Sequence, residues 1–258
     1  MTEFAWLPHQ SNITAKLTSP SYKGSADKFM RFLGEVYGPY KEAQLEISGV
    51  AKDHVRRRVD ILEKYYEKVD ELVDKLKIKS QSKFRPTVFE EFCGFLFKDV
   101  PEISALGLSF YGKKIFAGIG LSEDGTTRVK TKDVDFCIGK EVQAEFNGNE
   151  SSFIIPVVAV ECKTYTDKTM LSEAQFTALT LKNGAPNVKV YILSETNRVA
   201  LTEIPNQTPI DQYFVLRADE DDPIDADVLW DFFSEVREAL KRTRVVDGIK
   251  IPGRLILR

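Results

Sequence analysis

The longest apolar stretch of the chain lies near its middle, at residues 153–160, and ends directly in Glu161-Cys162-Lys163. A run of this kind is typical of a β-strand that is buried on both faces. Because residues i and i+2 of a strand point to the same side, we expect Glu161 and Lys163 to project together and Cys162 to face the core. Opposite charges at the end of an apolar strand cost desolvation energy, which favours a partner or a ligand at this position.

A second pattern, between residues 53 and 79, has apolar positions in alternating steps of four and three. These positions are Val55, Val59, Leu62, Tyr66, Val69, Val73 and Leu76. Such a heptad stripe predicts a long amphipathic helix. The helix either packs on its own domain or forms an arm that dimerises or binds DNA, with Arg56, Arg57 and Arg58 on phosphates.

The remaining pattern predicts shorter elements. Residues 1–24 are rich in turn formers and predict an irregular arm, and Pro86 is well placed to begin a helix that carries Glu90 and Glu91 among apolar residues. Asp133 and Asp135 precede a short apolar strand at residues 136–138. Glycine-rich turns are expected at Gly118, Gly120 and Gly125, helices at residues 25–37, 167–182 and 224–242, and further strands at 188–193 and 213–216.

This order of elements predicts an α/β fold with a mixed sheet flanked by helices. We place a helical N-terminal subdomain at residues 1–84, comprising the arm and the long amphipathic helix. The core, with a basic C-terminal tail, occupies residues 85–258.

The composition, 43% hydrophobic and 29% charged, is that of an ordinary globular protein. No apolar run reaches the roughly 18 residues of a membrane span, and the N-terminus lacks a signal pattern, so we expect a cytoplasmic protein without a membrane partner. Three scattered cysteines indicate reduced thiols, and two histidines leave little room for a zinc site or a Ser-His-Asp triad. Gly107 and Gly112-Lys113 have the spacing of a phosphate-binding loop, but Lys114 replaces its Ser or Thr, so no nucleotide cofactor is expected.

Three side chains make up the candidate chemistry: Asp135, Glu161 and Lys163. If the strands around residues 135 and 160 pair as a hairpin, two carboxylates and an ammonium meet at one end of the sheet. Carboxylates are the hard oxygen ligands that Mg²⁺ prefers, and the main-chain carbonyl of Cys162 adds another oxygen. One or two Mg²⁺ ions with a nearby lysine are suited to phosphodiester hydrolysis, so the pattern predicts a nuclease.

These residues resemble the PD-(D/E)XK nuclease superfamily and, within it, the type II restriction endonucleases. The first acidic motif is matched by Lys132-Asp133-Val134-Asp135-Phe136-Cys137-Ile138, the second by Val158-Ala159-Val160-Glu161-Cys162-Lys163, and a glutamate-bearing helix by Phe89-Glu90-Glu91-Phe92. The resemblance covers roughly residues 85–195. The stretch after Glu161 is similar to enzymes that cut short, interrupted or asymmetric sites, some of which have two different subunits.

The resemblance implies a restriction-endonuclease-like fold and Mg²⁺-dependent hydrolysis of double-stranded DNA that leaves 5′-phosphates. It implies Asp135 and Glu161 as metal ligands, Lys163 as the catalytic lysine, and Glu90 or Glu91 as a further catalytic residue. The proline that usually precedes the first aspartate is replaced by Lys132 or Val134, so Asp133 is an alternative ligand. It further implies a homodimer or a pair with a second related subunit.

The net charge of −3 requires basic residues to be concentrated on one face if DNA is the substrate. The candidate DNA contacts are Lys113, Lys114, Arg128, Lys130, Arg198, Arg242 and Arg244, with Lys250 and Arg254 in the tail. Two other functions stay open: a repair or recombination nuclease that recognises DNA structure, and a non-catalytic DNA-binding scaffold with a degenerate nuclease core.

Overall fold

The computed structural model describes residues 4–79, 82–146, 148–200, 202 and 207–242. Eight α-helices lie in these ranges: α1 (Pro8–Thr18), α2 (Ala26–Arg31), α3 (Gly38–Glu46), α4 (Lys52–Leu76), α5 (Pro86–Phe97), α6 (Pro101–Ala105), α7 (Lys168–Gly184) and α8 (Ala226–Arg242). The seven strands there are β1 (Ser109–Tyr111), β2 (Ile115–Leu121), β3 (Thr127–Lys132), β4 (Phe136–Phe146), β5 (Asn149–Thr166), β6 (Lys189–Asn197) and β7 (Gln212–Val215). None of the described helices is both long enough and apolar enough to cross a membrane.

The sheet is organised around the long central strand β5. One edge of β5 pairs antiparallel with β4, with Phe136 opposite Val160. Its other edge is shared: β2 pairs with it in parallel at Ile154, and β6 pairs in parallel from Val158 onward. β1 flanks β4, β3 flanks β2, and β7 flanks β6. The predicted hairpin between the strands at 135 and 160 is confirmed, although Asn147 in its turn lies outside the described residues.

The two faces of the sheet are covered by different helices. The larger core contains residues of α4, α5 and α8 together with Val158, Val160 and Cys162 of β5. The smaller core places α7 against β2 and against Ala159, which points to the opposite face of β5. The α/β class, with a mixed sheet flanked by helices and an N-terminal helical region, is therefore confirmed. The larger core is continuous across the proposed boundary at residue 84, because helices from both sides contribute to it.

The long helix α4 packs on its own domain. Its apolar stripe is buried in the larger core as far as Val69, and Val73 and Leu76 pack against that core while partly exposed. Arg58 is buried as well, so it does not face a phosphate. Arg58 donates to the carbonyls of Gln44 and Ile47 at 2.6 Å each and pairs with Asp99 at 3.2 Å. The helix is thus an internal support, and the interpretation as a free arm is wrong.

The irregular arm predicted at residues 1–24 is also wrong, because it contains the helix α1. The buried residues of α1 are His9, Ile13 and Lys16, and two of these three are polar, so a search for apolar positions misses the stripe. Residues 26–46 likewise form a nearly continuous helix across Pro39, through π-helical turns at Phe32–Tyr37. The wider turns accommodate a proline that has no N–H to donate.

Gly118 and Gly120 lie inside strand β2 and not in turns. Gly118 has a φ of +132° beside an irregularity in the β2–β3 register, and a Cβ on Gly120 would lie 2.7 Å from Lys130 Cε of β3. Helix α7 ends against the same strand, where a Cβ on Gly184 would lie 2.3 Å from the backbone carbon of Ala117.

We expect Gly184→Ala to lower the free energy of unfolding by about 1–3 kcal/mol, the usual cost of overpacking. Alanine gains up to about 1 kcal/mol of helix propensity over glycine, but the added methyl meets backbone atoms, which cannot rotate away. Chemical denaturation measures the difference. Asn183→Ala, one exposed residue earlier, is the matched control and should change stability little; equal effects of the two variants would contradict the close contact.

Candidate active site

The hairpin register brings Asp135 beside Glu161. Asp135 immediately precedes β4, and its neighbour Phe136 lies opposite Val160. The backbone N–H of Cys162 donates to Asp135 Oδ2 at 3.0 Å. A main-chain contact therefore fixes the Asp135 carboxylate against the end of β5.

Lys163 joins the two carboxylates. Its Nζ lies 2.7 Å from Glu161 Oε2 and 3.0 Å from Asp135 Oδ2. Burial, followed by the charge of Asp135, raises the pKa of Glu161 above its ordinary value. Burial alone would lower the pKa of Lys163, but Asp135 and Glu161 outweigh it and raise that pKa. The cluster is thus a compact, partly desolvated group of two acids and one ammonium.

Cys162 points away from this cluster. Its Sγ lies 3.8 Å from Cys93 Sγ of α5, in the larger core, and both thiols are free. The predicted alternation along β5 is confirmed by this arrangement. The carbonyl of Cys162 as a ligand stays a prediction.

The two glutamates of α5 have separate environments. Glu90 lines the cleft beside the cluster, where burial and the charge of Asp135 raise its pKa to about 7. Glu91 accepts hydrogen bonds from the backbone N–H groups of His9 and Gln10, at 2.9 and 3.1 Å, and from the Tyr37 hydroxyl at 3.0 Å. Its carboxylate is therefore occupied at the start of α1, and the structure removes Glu91 from the candidate site.

Trp6 is a site residue that the sequence did not reveal. Its Nε1 donates to the carbonyl of Glu90 at 2.9 Å, and its ring meets Phe136 edge-on at 5.6 Å. Cβ atoms on Gly94 and Gly112 would lie 2.4 and 3.0 Å from this ring. Trp6 thus connects α5, β4 and the turn after β1, three of the segments around the cluster. The only sequence signal was a glycine inside the apolar helix α5, which leaves room for a large neighbour.

The cluster opens into a cleft of about 1320 Å³. Among its lining residues are acids and lysines: Glu90, Asp133, Asp135, Glu161 and Glu173, and Lys83, Lys113, Lys132 and Lys163. Asp133 is exposed and accepts a hydrogen bond from the backbone N–H of Lys114 at 3.2 Å, whereas Lys163 contacts Asp135 and Glu161. No group of three or more His, Cys, Asp or Glu side chains suited to a metal occurs in the described part of the chain.

The predicted DNA contacts are spread over several surfaces. Lys113 lines the cleft, Lys114 is exposed beside it, and Arg128 and Lys130 are exposed on β3. Arg198 is paired with Glu220 and lies 4.0 Å over the ring of Tyr165, outside the cleft lining. Arg242 is exposed at the end of α8, and Arg244, like Lys250 and Arg254, lies outside the described residues. Lys83 and Lys132 line the cleft but were not among the predicted contacts.

Comparisons with known proteins concern the family and the fold. The model of the Bpu10I restriction endonuclease family matches residues 81–242, more than half of the chain and a range that includes Glu90, Asp135, Glu161 and Lys163. A solved structure, the native BbvCI A2B2 tetramer at low resolution, is similar to this chain with a TM-score of 0.71 and 20% identity, over 92% of this chain and 97% of that one. No curated protein matches.

Because the identity to BbvCI is low, this similarity supports the fold alone. The family match supports more, and the resemblance to type II restriction endonucleases of the PD-(D/E)XK type is confirmed. The chain belongs to the Bpu10I restriction endonuclease family.

Proposed function

We propose that this protein is a type II restriction enzyme that hydrolyses double-stranded DNA at a specific sequence, uses Mg²⁺ and leaves 5′-phosphates. The observation that carries the proposal is the contact of Lys163 with both Asp135 and Glu161 at the end of two paired strands. The family match and the BbvCI-like fold support the same class of enzyme.

The donor set fits magnesium. Mg²⁺ is usually bound by one or two carboxylates and completes its shell with water and substrate phosphate, so a site of two carboxylates is sufficient. Asp135 and Glu161 would be those ligands, since both reach one ammonium and are only 14% and 12% exposed. Asp133 is a weaker candidate because it makes no contact with Lys163 and faces Lys114. When bound, the ion would neutralise part of the phosphate charge and lower the pKa of a water molecule bound to it.

Lys163 has two roles in this proposal. It holds the two carboxylates together in the free protein, and it would offset the negative charge that develops on the phosphate during attack. Glu90, beside Asp135 in the cleft, would orient water near the scissile phosphate. In-line attack of that water at phosphorus expels the 3′-oxygen, which takes up a proton and leaves a 5′-phosphate and a 3′-hydroxyl.

Cleavage of both strands in a single binding event is achieved most directly by two such sites, and the described residues contain one. We therefore propose that the chain acts as a homodimer or together with a second, related subunit. The A2B2 composition of BbvCI, a protein of similar fold, supports a paired arrangement.

Incubation of the purified protein with plasmid DNA and Mg²⁺, followed by sequencing of the ends, tests the proposal. We expect discrete fragments with 5′-phosphates, and no cleavage when EDTA is added. Nicks at one sequence in one strand would indicate a missing second subunit. Cleavage of branched DNA alone, or no cleavage with any divalent metal and second subunit, would instead favour the repair nuclease or the scaffold.

A further inference from the structure

Lys83 reaches the cluster from the side opposite to Lys163. Its Nζ lies 4.0 Å from Asp135 Oδ1, whereas Lys163 contacts Oδ2 of the same carboxylate. The Lys83 side chain is 68% exposed and lines the cleft. The two lysines therefore flank Asp135, but only Lys163 is closely bound.

The backbone around Lys83 is fixed by its neighbours. The carbonyl of Ser82 accepts from Asn12 Nδ2 at 3.0 Å, and Phe84 is buried in the larger core. Arg85 pairs with Asp70 and Glu195, at 2.9 and 2.5 Å. Between these attachments the backbone of Lys83 has a φ of +52°, in the left-handed region that residues other than glycine rarely adopt. This turn separates Phe84 in the core from Lys83 in the cleft, so the direction of Lys83 is built into the fold.

The charges of the cleft leave Lys83 available to an anion. Lys163 is committed to two carboxylates at hydrogen-bond distance, while Lys83 meets Asp135 only at the limit of an ion pair. An exposed pair of that length contributes little, so exchanging it for a phosphate costs little. A lysine ammonium is a compact point charge that binds phosphate oxygens well.

We propose that Lys83 binds a DNA phosphate next to the scissile bond and so positions the duplex over Asp135. The inference rests on the proposed function in one respect, that the cleft receives DNA. It adds a contact that the sequence did not suggest, on the segment between α4 and α5.

The salt dependence of DNA binding tests the contact without cleavage. A short fluorescein-labelled duplex that carries the mapped cleavage site is titrated by anisotropy at several KCl concentrations, without divalent metal. Each phosphate contact adds about 0.9 to the slope of log K against log salt. We expect Lys83→Asn to reduce the slope by about that amount and to weaken binding about tenfold at low salt. Asparagine is chosen because it tolerates the left-handed backbone.

Two further variants make the result decisive. Lys83→Arg keeps the charge and should keep the wild-type slope, and Lys28→Ala, an exposed lysine of α2 outside the cleft lining, should do the same. A wild-type slope for a folded Lys83→Asn protein would overturn the inference. If the wild-type protein binds but does not cut any DNA, a labelled duplex of arbitrary sequence replaces the mapped one. The slope then still tests Lys83, while the missing cleavage counts against the proposed function alone.

Discussion

Replacing Lys163 or Glu161 with alanine is expected to lower the cleavage rate at least about 10³-fold, the range found when one preorganised charged group is removed from an active site. Lys163 contacts both carboxylates, so its loss removes both the positive charge proposed to act on the phosphate and the group that holds Asp135 and Glu161 together. Loss of Glu161 removes one of two proposed metal ligands. Single-turnover cleavage of plasmid DNA at saturating Mg²⁺ measures both effects.

The conservative variant Glu161→Gln separates chemistry from folding. It keeps the shape of the side chain and removes both the cost of burying a charge and the repulsion from Asp135, the two causes that raise the pKa of Glu161, so thermal unfolding should show an intact protein. Glu141→Gln is the matched control. Glu141 is an exposed residue of β4 that accepts a hydrogen bond from the Ser152 hydroxyl, and the variant should cut at the wild-type rate. The double variant of Lys163 and Glu161 should be hardly slower than the worse single variant, because the two residues act as a unit. Wild-type rates in Lys163→Ala or Glu161→Gln would refute the site assignment.

The centre of this site could be predicted from the sequence because it depends on local rules. The period of two along a strand places Glu161 and Lys163 on one side and Cys162 on the other. A hairpin then aligns Asp135 with the end of β5. The family match extends beyond these residues and agrees with the resemblance that they carry.

The surroundings of the site could not be predicted, because they depend on contacts between distant segments. Adjacent positions on α5 differ by about 100° around the helix axis, so Glu90 and Glu91 point in different directions. Only the packing of α1 decides which one lines the cleft: the start of α1 donates hydrogen bonds to the Glu91 carboxylate, and Glu90 is left in the cleft. Trp6 and Lys83 come from segments that show no hydrophobic periodicity. The position of Trp6 depends on the space left by Gly94, and that of Lys83 on the contacts of its neighbours Ser82 and Arg85.

The second large effect concerns stability. Arg58→Met is expected to lower the free energy of unfolding by about 3–5 kcal/mol, the cost of breaking a buried ion pair from one side. The Arg58 side chain is only 2% exposed, and burial lowers its pKa to about 10, so it remains charged at neutral pH. Methionine fills a similar length but leaves the carbonyls of Gln44 and Ile47 without their donor. Asp99 keeps Lys98 at 2.9 Å, which limits the loss at that carboxylate.

The same variant checks in solution that α4 is an internal support. If α4 is an internal support, Arg58→Met lowers stability and leaves the salt slope of DNA binding at its wild-type value, because Arg58 meets no phosphate. Arg57→Met, the exposed neighbour, should change stability by no more than about 0.5 kcal/mol. Urea denaturation and anisotropy titrations of the two proteins supply both quantities. A stable Arg58→Met protein with a reduced slope would instead require α4 to turn this face towards DNA, which the burial of Arg58 against Gln44, Ile47 and Asp99 opposes.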